Sequence, residues 1–296
     1  MPPRYCVALI CMTLLACYAS AEPGDLKHPD WHPGGKSLIA EGSCFGGIDL
    51  FLIDLDNDTV RLWWDGGQNE GYPRWFRDGK RVAFHQIDDN RQARLFIAEL
   101  DEAGEIHAVR RLTDGPFDIE PAPSPDGKTI AFSRPGENGL DIALIDIASR
   151  DVFKTWRTEA ADNFPSWYAD GDSIVFHARN NDGTQIVRRH PESGEVSKLT
   201  VGKGPNMLAN ISPDGRKLVY SSERDGDREI YTRDLIAGTD TRLTERAGRD
   251  GYPKISPDGL QLAYHSVIDE EFAVVRIMNL ENGDVSEFAC LASVIE

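Results

Sequence analysis

Three histidines in this chain recur with the same neighbours: Phe84-His85, Phe176-His177 and Tyr264-His265. Ahead of each stands an acid, a spacer, an aromatic and a proline: Glu70-Gly71-Tyr72-Pro73, Asp162-Asn163-Phe164-Pro165 and Asp250-Gly251-Tyr252-Pro253. An imidazole titrates near neutrality, so it can move a proton or ligate a metal. A carboxylate beside it supplies a second acid–base group or a hard oxygen donor suited to Ca²⁺. Asp118 and Glu120 hold the matching place in an intermediate segment. The candidate site is therefore a rim of Glu70, Tyr72, His85, Asp118, Glu120, Asp162, Phe164, His177, Asp250, Tyr252 and His265 around a channel mouth.

The elements that must position these groups are set by one repeated turn. His32-Pro33-Gly34-Gly35-Lys36, Phe76-Arg77-Asp78-Gly79-Lys80, Ser124-Pro125-Asp126-Gly127-Lys128, Tyr168-Ala169-Asp170-Gly171-Asp172, Ser212-Pro213-Asp214-Gly215-Arg216 and Ser256-Pro257-Asp258-Gly259-Leu260 share one frame. Their second glycines fall at 35, 79, 127, 171, 215 and 259, at intervals of 44, 48, 44, 44 and 44. Proline presets φ for a turn corner, Asp bonds back to the turn backbone, and Gly accepts positive φ. A period-2 strand follows each turn, such as Ile130-Ala131-Phe132, and further polar turns separate a third and a fourth strand. Four short strands per unit, repeated six times, predict an all-β fold: a six-bladed β-propeller of four-stranded antiparallel blades. No stretch after the N-terminal segment has the period of a helix.

The ends of the chain carry a second set of signals. Arg4, an apolar run from Tyr5 to Ala16 and the small residues Ala19-Ser20-Ala21 predict a signal peptide over residues 1–21, leaving one propeller domain over 22–296. Leu14-Leu15-Ala16-Cys17 offers an alternative, a lipoprotein signal ending before Cys17. The expected location is the periplasm or extracellular space, with membrane attachment only through lipidation at Cys17. Residues 22–296 hold 49 acids and 31 bases, a net charge of −18. That balance repels nucleic acid and anionic lipid and favours a cationic partner segment.

Cys44 and Cys290 remain after signal removal. The repeat begins on an inner strand and ends on an outer one, so no strand is exchanged across the seam of the ring. With strands alternating in direction, Cys44 and Cys290 fall on the same face of neighbouring blades, and a disulfide between them is expected to close the ring.

The Ser-Pro-Asp-Gly-Lys/Arg turn, the aliphatic-Ala-Phe strand and the Arg-Leu-Thr ending at 111–113 resemble the TolB-like propeller repeat, a relative of WD repeats, over roughly residues 25–290. The resemblance implies fold more than function, because such blades occur in periplasmic Tol-system proteins, in gating domains of prolyl-peptidase-like hydrolases and in polysaccharide-degrading enzymes.

Strand spacings of about 4.8 Å put the second strands of alternate blades roughly 15–20 Å apart, too far for one shared zinc. No metal site is therefore predicted; each His is expected to bond within its own hairpin, and Ca²⁺ at the rim carboxylates is the single cofactor considered. No Gly-x-Ser-x-Gly elbow or phosphate-binding glycine loop occurs. The leading expectation is a monomeric, non-catalytic scaffold in the bacterial envelope, Tol-system or transport related, that binds a protein or peptide. The alternative is a propeller-type lyase or hydrolase on acidic or sugar substrates using the channel-mouth histidines.

Overall fold

The computed structural model describes residues 24–159, 161–180, 183–200, 202, 204–246, 248–268 and 272–290. Both N-terminal processing expectations, including Cys17, lie outside the described residues. In the first blade β1 (Leu26–Trp31), β2 (Ser37–Gly42), β3 (Asp49–Asp54) and β4 (Thr59–Trp64) pair in that order, each antiparallel to the next. Five further blades repeat this order, from β5 (Asn69–Trp75) to β24 (Val285–Phe288). No helix occurs among the described residues. The all-β, six-bladed, four-stranded architecture expected from the turn spacing is the one observed.

The turns behave as their residues dictate. Gly35, Gly79, Gly127, Gly171, Gly215 and Gly259 all adopt φ between 66 and 80°, which only glycine takes without steric cost. In the third blade Ser124 Oγ donates to Asp126 Oδ1 at 2.6 Å, and Asp126 Oδ1 accepts from Lys128 N–H at 3.1 Å. The side chains thus satisfy turn polar groups that the ladder cannot reach.

Strand alternation sends apolar side chains to both sheet faces, so each blade packs on two neighbours. Six apolar clusters result, one at each joint between blades. Trp63 and Trp64, adjacent at the end of β4, pack against the cluster between the first two blades.

The seam between the last and first blades is closed by several fasteners. Cys44 and Cys290 stand at disulfide distance, with Cα atoms 5.7 Å apart. Gly24 forms an isolated antiparallel bridge with Cys290, and Asp25 Oδ1 accepts from Ala273 N–H at 2.9 Å. Leu26, Trp31 and Phe51 share a cluster there with Val275, Ile277 and Phe288.

Candidate functional site

The inner strands β1, β5, β9 (Ile119–Pro123), β13 (Ala161–Trp167), β17 (Asn206–Ile211) and β21 (Arg249–Ile255) surround the channel. Each carries one non-glycine residue in the left-handed region: His28, Tyr72, Glu120, Phe164, Leu208 and Tyr252, with φ between 52 and 59°. Such a conformation costs about 1–2 kcal/mol per residue and persists only where surroundings enforce it. Here it belongs to a bulge that shifts the register of each inner hairpin, for example between Gly71 and Arg74. Five of the six are followed by proline, which carries no N–H for the bulge to orphan.

The bulge turns the left-handed residue's N–H towards the preceding blade. Tyr72 N–H donates to Glu41 Oε2 at 2.8 Å, and Glu120 N–H to His85 Nδ1 at 3.4 Å. Phe164 N–H donates to Glu120 Oε2 at 3.0 Å and to Ser133 Oγ at 3.3 Å, and Leu208 N–H to His177 Nδ1 at 3.4 Å. Glu41, His85, Ser133 and His177 occupy one repeat position on the second strands, which Ser221 and His265 complete. The histidines were expected to bond within their own hairpins; His85 and His177 instead clasp the next blade, because the bulge aims a backbone donor across the joint.

That geometry fixes their chemistry. An Nδ1 that accepts a hydrogen bond carries no proton, so these imidazoles are neutral with the proton on Nε2. Burial pushes His85 down to about 4 despite the Glu41 carboxylate nearby. Burial and the Arg228 charge push His177 down to about 3, and burial also holds His265 well below the ordinary imidazole range. A base with so low a pKa, its lone pair held by backbone, is poorly matched to proton transfer near pH 7. Gly71 is needed in this layer: a Cβ there would lie 2.8 Å from both Glu41 Oε2 and His85 Nε2.

The side chains of the left-handed residues meet on the axis. His28 stacks on Tyr72 with centroids 4.0 Å apart and meets Tyr252 edge-on at 4.0 Å. Phe164 lies 5.7 Å from Tyr72 and 5.5 Å from Tyr252, and the two tyrosine hydroxyls share a 2.9 Å hydrogen bond. Aromatic faces and edges at these separations attract beyond simple burial. The result is a plug across the channel. His28 Nδ1 lies 2.7 Å from Glu41 Oε1. Burial alone would raise the Glu41 carboxyl, but His28 and the Tyr72 N–H outweigh it and hold it below its ordinary value.

The remaining rim candidates lie on the side of the plug where the β2–β3-type loops stand, hereafter the loop face. Glu70, Asp118, Asp162 and Asp250 are all buried. Glu70 Oε1 accepts from Gln86 Nε2 at 2.8 Å, Asp118 pairs with Arg134 at 3.1 Å, and Asp162 Oδ2 accepts from Thr158 Oγ1 at 2.9 Å. Burial raises all four, Asp162 to about 6. Burial raises Glu120 to about 7 as well, although Ser133, the Phe164 N–H and Arg74 oppose it. The structure thus brings Tyr72, Phe164, Tyr252, Glu120 and the three histidines together in one layer and leaves the other carboxylates buried outside it with partners of their own. Among the described residues, no three His, Cys, Asp or Glu side chains converge as a metal-ligand set.

Two features escaped the sequence reading. His28 is the fourth member of the plug; its signal is His28-Pro29, 44 residues before Tyr72-Pro73. On the opposite side of the plug, where the Ser-Pro-Asp-Gly turns stand (the turn face), the channel opens into a funnel of about 390 Å³. Its floor holds one residue from each inner strand: Asp30, Arg74, Ala122, Ser166, Asn210 and Lys254.

Comparison with known proteins agrees with this geometry. A family model described as the TolB beta propeller domain matches residues 72–284. An uncharacterized protein of Agrobacterium fabrum is 26% identical over 150 residues, covering 46% of this chain and 49% of that protein. The chain therefore spans about half the length of the curated relative it matches. Among solved structures, TolB from Acinetobacter baumannii superposes with a TM-score of 0.69 at 18% identity, covering 94% of this chain and 67% of its own. An oligogalacturonate lyase in complex with manganese gives 0.58 at 15%, covering 89% and 95%. The tricorn protease gives 0.69 at 18%, covering 93% and 27%. At such identities the structural likenesses establish the fold alone.

Proposed function

This chain belongs to the TolB beta propeller domain family, and from that premise we propose that it is a non-catalytic binding protein of an exported compartment. It holds a protein or peptide partner against the open faces of its ring. The observation that carries this reading is the plugged centre of the channel. His28, Tyr72, Phe164 and Tyr252 fill the axis, and the lone pairs of His85 and His177 are engaged by backbone N–H groups. What the ring offers a second molecule is concave surface, and concave or loop-rich surface on a rigid scaffold is where recognition resides.

Several residues support the finer parts of the reading. Residues 1–21 have the pattern of an export signal, and a Cys44–Cys290 bond suits an oxidising compartment. On the loop face, the exposed acids Asp65, Asp89, Glu137, Glu159, Asp225 and Asp227 outnumber the exposed Arg91, Arg157 and Arg246, which favours a cationic segment there. In this reading the buried rim set (Glu70, Asp118, Asp162, Asp250 and the plug with its histidines) shapes the docking face from beneath.

The test is in-cell photo-cross-linking from three exposed positions: Phe45 on the loop face, Leu260 on the turn face and Val196 on an outer edge strand. The expected result is one discrete adduct from Phe45 or Leu260 and none from Val196, with the identified partner binding the purified chain. Indistinguishable adducts at all three positions would overturn the reading. So would substrate turnover by the purified chain that disappears on His177→Gln while the protein stays folded.

A further inference from the structure

The chain as a whole is strongly acidic, with 49 Asp and Glu against 32 Lys and Arg. The funnel reverses that balance. Its lining includes Arg74, Arg77 and Lys254 and a single acid, Asp30. From this reversal we infer that the funnel is a carboxylate-binding site whose cationic floor is made by Lys254 and Arg74.

The inner strands set the floor. Two residues beyond each left-handed position, the bulge returns the side chain to the axis on the turn side of the plug. Strand order then makes β1 the neighbour of both β5 and β21, so Asp30 lies between Arg74 and Lys254. Lys254 Nζ is 3.6 Å from Asp30 Oδ1, and Arg74 Nη1 is 4.0 Å from the same oxygen. The other oxygen, Asp30 Oδ2, accepts from Trp75 N–H at 2.9 Å. One carboxylate, partly committed to backbone, thus serves two cations, and among the described residues it is the only carboxylate within ion-pair distance of either. The side chains of Arg74 and Lys254 are 12% and 11% exposed. Arg74 Nη1 also donates to Pro73 O at 3.1 Å, which satisfies a donor without supplying charge. With Lys254 protonated, two cations so far removed from water share one anion and leave a surplus positive charge, and a second carboxylate is the group that neutralises it.

The cavity suits that ligand. A volume of about 390 Å³ admits a carboxylate with a short stem. Three tryptophans, Trp31, Trp75 and Trp167, and six prolines line it, so the stem meets apolar surface. Beneath the floor the space narrows to about 20 Å³ against Glu120, Phe164 and Tyr252. An occupant enters from the turn face and stops with its charged end on the floor, where a guanidinium fork and an ammonium both donate to carboxylate oxygens.

Protonation of the floor should respond to the ligand. Burial and the Arg74 charge push Lys254 down to about 7, with Asp30 opposing. The other charged groups facing this level are Arg77 at the funnel wall and Glu120 below it. A bound carboxylate stabilises the ammonium, so binding takes up a proton. Affinity should be full below about pH 7 and fall as pH rises above it.

The inference stands on the funnel's own residues, whichever partner the ring faces take. The carboxylate could be the free C-terminus of a polypeptide or that of a small organic acid. Calorimetric titration of the intact chain with N-acetyl-Ala-Ala-Leu, its C-terminal amide and propionate separates these sources. A saturable response to the tripeptide acid alone assigns a chain end; an equal response to propionate assigns a free acid; both support the site. The amide is expected to bind at least about tenfold more weakly, and Lys254→Met and Arg74→Gln to weaken the acid by about tenfold each. Near-ultraviolet circular dichroism of each variant checks the fold. Failure of both acids to titrate at millimolar concentration overturns the inference, as does equal binding of acid and amide.

Discussion

The two halves of the central channel are built from the same repeat yet handle charge in opposite ways. In the plug layer, four of the six blades match their buried groups: Glu41 meets His28 and the Tyr72 N–H, Ser133 meets the Phe164 N–H, and His85 and His177 meet backbone donors from the next blade, while Ser221 and His265 in the last two blades have no such partner. In the funnel floor, two residues further along each inner strand, two cations share one carboxylate. A matched buried network rigidifies, whereas an unmatched one costs stability and keeps binding capacity in reserve. The difference teaches that a single backbone device, the left-handed bulge, can build a joint on one side of itself and a ligand site on the other.

The contrast can first be sharpened at the seam, where the matching breaks down. His265 is the clasp residue of the last blade, and its Nδ1 has no hydrogen-bond partner. Cys44 and Cys290, 246 residues apart in sequence, stand at disulfide distance across this same joint. In the chain-entropy description a link that long is worth roughly 5 kcal/mol. The Cys44→Ser/Cys290→Ser double variant is therefore expected to show the largest loss, read as a lowered urea midpoint. If the native and double-variant midpoints coincide, the Gly24 bridge, the Asp25–Ala273 hydrogen bond and the apolar cluster hold the seam without it.

Within the plug layer, Glu41→Ala should cost about 3–5 kcal/mol, because it strands a buried imidazole and a buried N–H together. Glu41→Gln keeps an acceptor for Tyr72 N–H and should lose less. Chemical denaturation at pH 7 ranks the two; equal losses would mean that the His28–Glu41 contact adds nothing beyond that acceptor.

A pH series separates the layer's own titrating groups. His85 and His177 are depressed to about 4 and about 3. Their stabilisation is full above the unfolded imidazole value of about 6.5 and is lost as pH falls through the folded values. Glu120 is raised to about 7, so its contribution is full below the unfolded carboxyl value of about 4.3 and is lost as pH rises through about 7. Glu120→Gln removes the second loss. Relative to the native chain, this variant should gain on the order of 3 kcal/mol between pH 4 and pH 8, measured as paired unfolding free energies. A constant difference across that range would show that Glu120 stays ionised.

Much of this architecture was legible before the structure, and the reason is local. Turn residues such as Ser124, Asp126 and Gly127 act within a few positions of one another, so their chemistry is written contiguously and the 44-residue period exposes it. The plug was half legible. Tyr72, Phe164 and Tyr252 announce themselves before proline, whereas the first blade places an imidazole, His28, where its counterparts place an aromatic ring. Clasping across joints was hidden because a left-handed bulge leaves no residue signature other than that proline step. The funnel floor was hidden altogether. Asp30 and Lys254 are more than two hundred positions apart, and closure of the ring alone makes them neighbours.

The smallest expected effect has the opposite sign and divides the two halves most cleanly. Truncation in a matched layer must destabilise, whereas truncation of an unmatched buried cation relieves a cost. Lys254→Met keeps the length of the stem, leaves Asp30 to Arg74 alone and removes an ammonium that burial has already weakened. At pH 7 it is expected to raise stability by about 1–3 kcal/mol, within the range seen when buried charges are replaced by apolar groups. The pH dependence supplies a signature that improved packing would lack. Because Lys254 is depressed to about 7 in the folded chain, the native protein carries its full penalty below that value. The penalty shrinks as pH rises towards the unfolded amine value of about 10.4. The advantage of Lys254→Met should therefore be greatest at and below neutrality and fade by pH 10 or so. A loss of stability at pH 7, or a gain that does not change with pH, would place Lys254 among the matched groups and erase the distinction between plug and floor.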